Sequence, residues 1–166
     1  MRTIALIACT ACVAAGVAAI ASAHGTARAS RSSATVQARS TGLGKILVDS
    51  SGATLYEFTR DSRDSDSCVH QSGCSKIWPP LTVHGKPSAG SGVKASLLGT
   101  ISLAGGAKQV TYAGRPLYLY AADETPGDTD YVGASSFGGT WNAVGTTGQA
   151  IKKHASRSSG SSGGGW

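Results

Sequence analysis

Two stretches of this chain alternate their side chains in the same way, 62 positions apart: Leu55-Tyr56-Glu57-Phe58-Thr59-Arg60-Asp61 and Leu117-Tyr118-Leu119-Tyr120-Ala121-Ala122-Asp123. Along an extended chain successive side chains point to opposite faces. Tyr56 and Phe58 therefore share one face, as do Tyr118 and Tyr120, while Leu55 with Glu57 and Leu117 with Leu119 take the other. Ahead of the first copy, Lys45–Val48 is β-rich, Asp49–Gly52 supplies turn residues, and Thr54–Phe58 resumes the strand pattern. This predicts a hairpin. The second copy repeats it with Lys108–Tyr112, an Ala113-Gly114 turn and Leu117–Tyr120. At the same offset of 62, Val48 meets Val110, Gly52 meets Gly114 and Asp61 meets Asp123; Trp78 and Trp141 correspond at 63, as if each unit closed with an indole lid. A period this long exceeds that of solenoid or propeller units, so two related halves are expected to complete one core. The predicted fold is all-β and mainly antiparallel, a compact single domain of two pseudo-symmetric hairpin repeats, about 44–83 and 100–146, with room for one or two short helices. One such helix is placed at Val93–Leu98, ending on Gly99, and Ile101 with Leu103 opens a further strand.

The flanks lack this pattern. Met1-Arg2-Thr3, the apolar run Ile4–Ile20 and the small residues Ala21-Ser22-Ala23 form a secretory signal peptide over residues 1–23. Cys9, in Leu6-Ile7-Ala8-Cys9, comes too early for lipid attachment, which would leave Val13–Ile20 on the mature protein. Residues 24–41, rich in Ser, Ala, Thr and Arg, read as a disordered leader. Residues 149–166, basic and then Gly/Ser-rich, read as a disordered tail. No transmembrane segment is expected in the mature chain.

Composition concentrates the packing material between the flanks: nine of the ten aromatic residues lie in Gly42–Gly148. Charge separates the same way. The formal +6 divides into a core span with eight basic residues against all nine acids, net −1, and flanks that hold the basic excess. A nucleic-acid reader needs its basic patch on the folded domain, so nucleic acid is excluded as a partner.

The two Tyr-x-x-x-x-Asp copies, Tyr56–Asp61 and Tyr118–Asp123, resemble the hallmark of a bacterial family of secreted repeats described as predicted lipoproteins. The similarity extends through Gly44–Val48, Cys74–Leu81, Leu97–Ile101, Gln109–Tyr112 and Pro126–Thr129, and so through most of the core span. It implies export, tandem repeats and β structure, with no assigned activity. This chain departs from the pattern in its early Cys9 and in the five residues that separate Cys68 from Cys74.

The repeat motif residues Tyr56, Phe58, Asp61, Tyr118, Tyr120 and Asp123 are expected to fill the core and to fix turns, since a short carboxylate after a strand commonly accepts backbone N–H groups. The alternative is cation binding by the acidic clusters Asp61, Asp64 and Asp66 or Asp123, Glu124, Asp128 and Asp130, although no EF-hand spacing is present. Export and an even count favour a Cys68–Cys74 disulfide. The same atoms with His70 and His84 are candidate zinc or copper ligands, and the cysteines a candidate redox pair, although neither a finger spacing nor Cys-x-x-Cys is present. The core span holds no Gly-x-Ser-x-Gly elbow, phosphate-binding loop, His-Glu-x-x-His or dinucleotide fingerprint, so no catalysis and no cofactor are expected. The leading expectation is a non-catalytic module of the cell envelope or secretome with an envelope or extracellular partner. The alternative is an extracytoplasmic redox or metal-handling protein using Cys68, Cys74, His70 and His84.

Overall fold

A computed structural model describes residues 35–153. The expected signal peptide, most of the expected leader and most of the expected tail lie outside the described residues, among which eleven strands form three sheets. Repeat one opens on an antiparallel hairpin of β1 (Thr35–Thr41) and β2 (Gly44–Val48); repeat two opens on its counterpart, β6 (Leu98–Ser102) and β7 (Lys108–Tyr112). In each, a tight turn then leads into the Tyr motif, and the chain later returns through a tryptophan.

The turns are built by their residues. Asp49 accepts the backbone N–H groups of Ser51 and Ala53 through Oδ1 at 2.8 and 2.9 Å, which fixes the first. The second joins β7 to β8 (Arg115–Pro116) through Ala113 and Gly114, with φ of 53° and 79°. Two consecutive positive φ values match the right-handed twist of the flanking strands. Gly114 has a second reason to be glycine: a Cβ there would lie 2.7 Å from Cγ of Arg63.

After the turns the repeats exchange partners. β3 (Tyr56–Phe58) pairs with β10 (Gly139–Val144) of repeat two, and β4 (Thr82–Val83) of repeat one pairs with β7 of repeat two. The backbone N–H of Leu81 donates to the carbonyl of Leu117 at 2.9 Å, and its counterpart Val144 donates to Leu55 at 3.1 Å. Asp64 donates to the turn carbonyl of Gly114, and Gly127 to that of Gly52, each at 2.8 Å. At the centre, Tyr56 and Tyr118 exchange both backbone hydrogen bonds, at 2.9 and 3.0 Å. Each repeat thus closes on the other, and two of the three sheets take strands from both.

The alternation read from the sequence sorts the core into two clusters. Tyr56, Phe58, Tyr118 and both tryptophans lie in one; Leu55, Leu117, Val110 and Tyr112 lie in the other. The remaining elements are short: α1 (Cys74–Ile77), β5 (Ser88–Ala89), β9 (Ala134–Ser136) and β11 (Ala150–Ile151).

Three expectations change. The expected leader ends at residue 41, yet Thr35–Thr41 is a strand between β2 and β5, and β11 lies past the expected tail boundary at 148. Main-chain pairing carries β1, with Val36 its one fully buried side chain, so periodicity gave no signal. The first hairpin pairs its two arms only at the Val48–Thr54 bridge, because beyond it Ile46 bridges Gly145 and Tyr56 bridges Tyr118 instead of each other. The helix expected at Val93–Leu98 is a 3-10 turn, Ala95–Leu97, and Gly99 lies inside β6, where a Cβ would meet Oγ1 of Thr111 at 2.8 Å.

Candidate functional site

The repeated tyrosines and aspartates meet across the two-fold relation between the repeats. The hydroxyl of Tyr118 donates to Oδ2 of Asp61 at 2.7 Å, and that of Tyr56 donates to the carboxylate of Asp123 at 3.1 and 3.2 Å. Tyr56 and Tyr118 are therefore each held by the aspartate of the other repeat. Burial first, and the facing carboxylate after it, push both tyrosine hydroxyls well above their ordinary pKa, so both donate as neutral groups.

The tryptophans stack on each other between these pairs, ring centroids 4.0 Å apart and 4° from parallel. Phe58 of repeat one stacks on Trp141 at 4.1 Å, and Tyr120 of repeat two packs on Trp78 at 4.4 Å. Tyr56 and Tyr118 meet Trp78 and Trp141 edge-on, at 5.2 and 5.1 Å. Both indole N–H groups donate to one acceptor, Oγ of Ser136, at 3.2 and 2.9 Å. The two expected lids form one shared stack.

The two aspartates are not equivalent. Asp61 also accepts from the backbone N–H and the hydroxyl of Ser67, each at 2.8 Å, which ties the loop after the motif. Burial nevertheless pushes its pKa above the ordinary value. Asp123 has only Tyr56 as a hydrogen-bond donor among the described residues. Burial, with Asp128 and Asp130 adding to it, raises Asp123 to about 6. A carboxyl whose folded pKa lies above its unfolded value stabilises the fold below the unfolded pKa and loses that contribution as pH rises through the folded one. The contribution of Asp123 is therefore lost between about pH 4 and pH 6. Since the carboxyl is partly exposed, the effect is screened to about 1 kcal/mol. Asp123→Asn, which keeps an acceptor for Tyr56, is expected to unfold at higher temperature than the parent above pH 6 and to match it near pH 4. Melting curves across that range check this.

Cys68 and Cys74 form a disulfide, their Cα atoms 5.4 Å apart and both side chains fully buried beside the tryptophan stack. The candidate metal set does not assemble: the sulfurs bond each other, while His70 and His84 are both exposed. Nor do the acidic clusters converge, for among the described residues no three His, Cys, Asp or Glu side chains are placed to hold an ion.

Comparison with known protein families matches residues 37–82 and 99–145 to a secreted repeat of unknown function, one repeat in each segment. The chain belongs to this secreted-repeat family. No curated protein and no solved structure matches it. The matched segments begin at β1 and at β6, so each family repeat is one hairpin, motif and tryptophan return. Among the described residues, no helix of this secreted repeat is long and apolar enough to cross a membrane.

The secreted repeat also contains a pair that sequence reasoning missed. Glu57, read simply as facing away from the tyrosines, is almost fully buried; Oε2 accepts from Nη1 of Arg115, and Oε1 accepts from Nδ2 of Asn142 at 3.3 Å. Arg115 is nearly half exposed. The available signal was the repeat itself: at an offset of 62 the counterparts of Glu57 and Arg115 are Leu119 and Ala53.

Proposed function

We propose that this secreted repeat is an exported, non-catalytic module of the cell envelope or secretome, a rigid two-repeat scaffold that works by binding an envelope or extracellular partner. The observation that carries this reading is the reciprocal pairing of Tyr56 with Asp123 and of Tyr118 with Asp61. A catalytic group is rarely required twice in equivalent places, whereas a core tyrosine and a carboxylate that holds it are required wherever the unit recurs. The residues that recur are occupied with each other, which leaves partner recognition to the positions where the halves differ.

Removal of the disulfide tests the reading against metal or redox chemistry. The Cys68→Ser/Cys74→Ser protein is expected to lose roughly 2 kcal/mol of stability, as expected for a short closed loop, and still to be captured with the same envelope fraction as the parent. Purified parent is expected to carry no stoichiometric metal or chromophore. Stoichiometric copper, zinc or haem, or loss of capture in a folded double variant, overturns the proposal in favour of a metal or redox role.

A further inference from the structure

The exchange between repeats creates two equivalent caps, where the loop after each motif covers the other repeat's hairpin turn. Only one of them holds a buried carboxylate paired with an arginine; at the other, the Arg39 guanidinium lies against Gly52 and Gly127 with no such partner. Between the Asp61–Arg63 segment and the β7–β8 turn lies a cavity of about 260 Å³, lined by Glu57, Phe58, Asp61, Arg63, Gly114 and Arg115 among others. The counterparts of Glu57, Arg63 and Arg115 at an offset of 62 are Leu119, Thr125 and Ala53. The same architecture therefore closes without any of these charges, and the buried carboxylate is not a demand of the fold. Replacing a buried ion pair by apolar groups is often neutral or stabilising, so its presence at one cap alone asks for another reason.

The hydrogen bonds supply one. Both carboxylates are engaged: Glu57 by Arg115 and Asn142, Asp61 by Ser67 and Tyr118. The guanidiniums are not used up. Arg115 gives Nη1 to Glu57, while Arg63 gives Nη1 to the carbonyl of Ala113 at 3.2 Å and sets Nε 3.7 Å from Oδ2 of Asp64 in an exposed ion pair, whereas each guanidinium carries five N–H donors in a planar fork. Glu57 thus acts as a buried strut that orients Arg115 at the cavity wall, and Phe58 contributes an apolar surface. A planar fork matches a carboxylate in bidentate geometry. Size and charge narrow the ligand further. The cavity is below the range usual for drug-sized molecules, and its two positive lining groups are already balanced by two negative ones, so Asp61 and Glu57 would oppose a dianion more strongly than a monoanion.

We infer that this cavity is a binding site for a small ligand bearing a single carboxylate, gripped by Arg115 and Arg63 at the cap that holds the buried ion pair. The site deepens the binding role proposed above and rests on it. A carboxylate titration that succeeds where envelope capture fails, or the reverse, separates the two.

The test is an amide and guanidinium NMR titration of the full chain with N-acetylalanine, its uncharged amide and inorganic phosphate as probes. N-acetylalanine is expected to give saturable shifts centred on Ser62, Gly114 and Arg115, with no response to the amide and a weaker one to phosphate. Arg63→Gln is expected to weaken N-acetylalanine by roughly tenfold, the loss of one charge-assisted contact. Glu57→Leu/Arg115→Ala, which installs the residue pair of the other cap, is expected to keep the native spectrum and to abolish saturation. The inference is overturned if N-acetylalanine gives no saturable shift at tens of millimolar, if its amide or phosphate binds as well, or if the folded double variant still saturates.

Discussion

Trp141→Ala is expected to cost about 3–5 kcal/mol, the range for removing a large buried aromatic side chain, and to lower the melting temperature by roughly 10–20 °C for a domain of this size. Trp141 is fully buried and touches three aromatic rings, two of them stacked face to face at 4.1 and 4.0 Å. Phe58 and Trp78 belong to repeat one, so the loss falls on contacts between the halves as well as on buried area. Trp141→Phe, which keeps a ring in the stack, is expected to cost less than half as much. Because Trp78 occupies the counterpart position, Trp78→Ala should match Trp141→Ala within about 1 kcal/mol, and the double variant should fall short of the sum since the two share one contact. Urea unfolding followed by far-UV circular dichroism measures all four. A cost below about 1 kcal/mol for Trp141→Ala would mean that the stack does not hold the repeats together.

The sequence made the repeat legible because its signals are local. Tyr56 and Phe58 alternate with Leu55 and Glu57, and the alternation assigned Tyr56, Phe58 and Leu55 to the clusters they occupy. Gly52 and Gly114 marked turns because both have positive φ, 90° and 79°. The choice of partner was not legible. Period-two alternation says which face a residue takes but not which copy pairs with it, and in a duplicated chain both copies present the same pattern. The first hairpin was therefore expected to be longer than it is, and the strand exchange around Leu81 and Val144 left no trace in the periodicity. β1 escaped notice for a related reason: its place depends on backbone pairing with β2, and Thr, Gln, Arg and Ser at its other positions resemble a polar leader. Glu57 was hidden by its own chemistry. A glutamate in a strand normally signals the solvent face, and only the three-dimensional placement of Arg115 and Asn142 makes its burial tolerable.

That burial leads to the second large effect. Arg115→Ala alone is expected to cost about 2–3 kcal/mol, less than a wholly dry pair would because Arg115 is nearly half exposed. The loss comes from Glu57, left as a buried carboxylate with Asn142 as its one remaining partner. Glu57→Leu alone is expected to be much milder, since the freed guanidinium can turn to water. The decisive comparison is Glu57→Leu/Arg115→Ala, which copies Leu119 and Ala53 and should lie within about 1 kcal/mol of the parent. The order of stabilities, with Arg115→Ala clearly lowest and the double variant restored, distinguishes an uncompensated buried charge from simple loss of side-chain packing, for which the double variant would be the least stable of the three. Chemical denaturation at neutral pH reads the order directly. If the double variant is the least stable, then the pair supports the fold itself, and its presence at one cap alone no longer argues for a ligand.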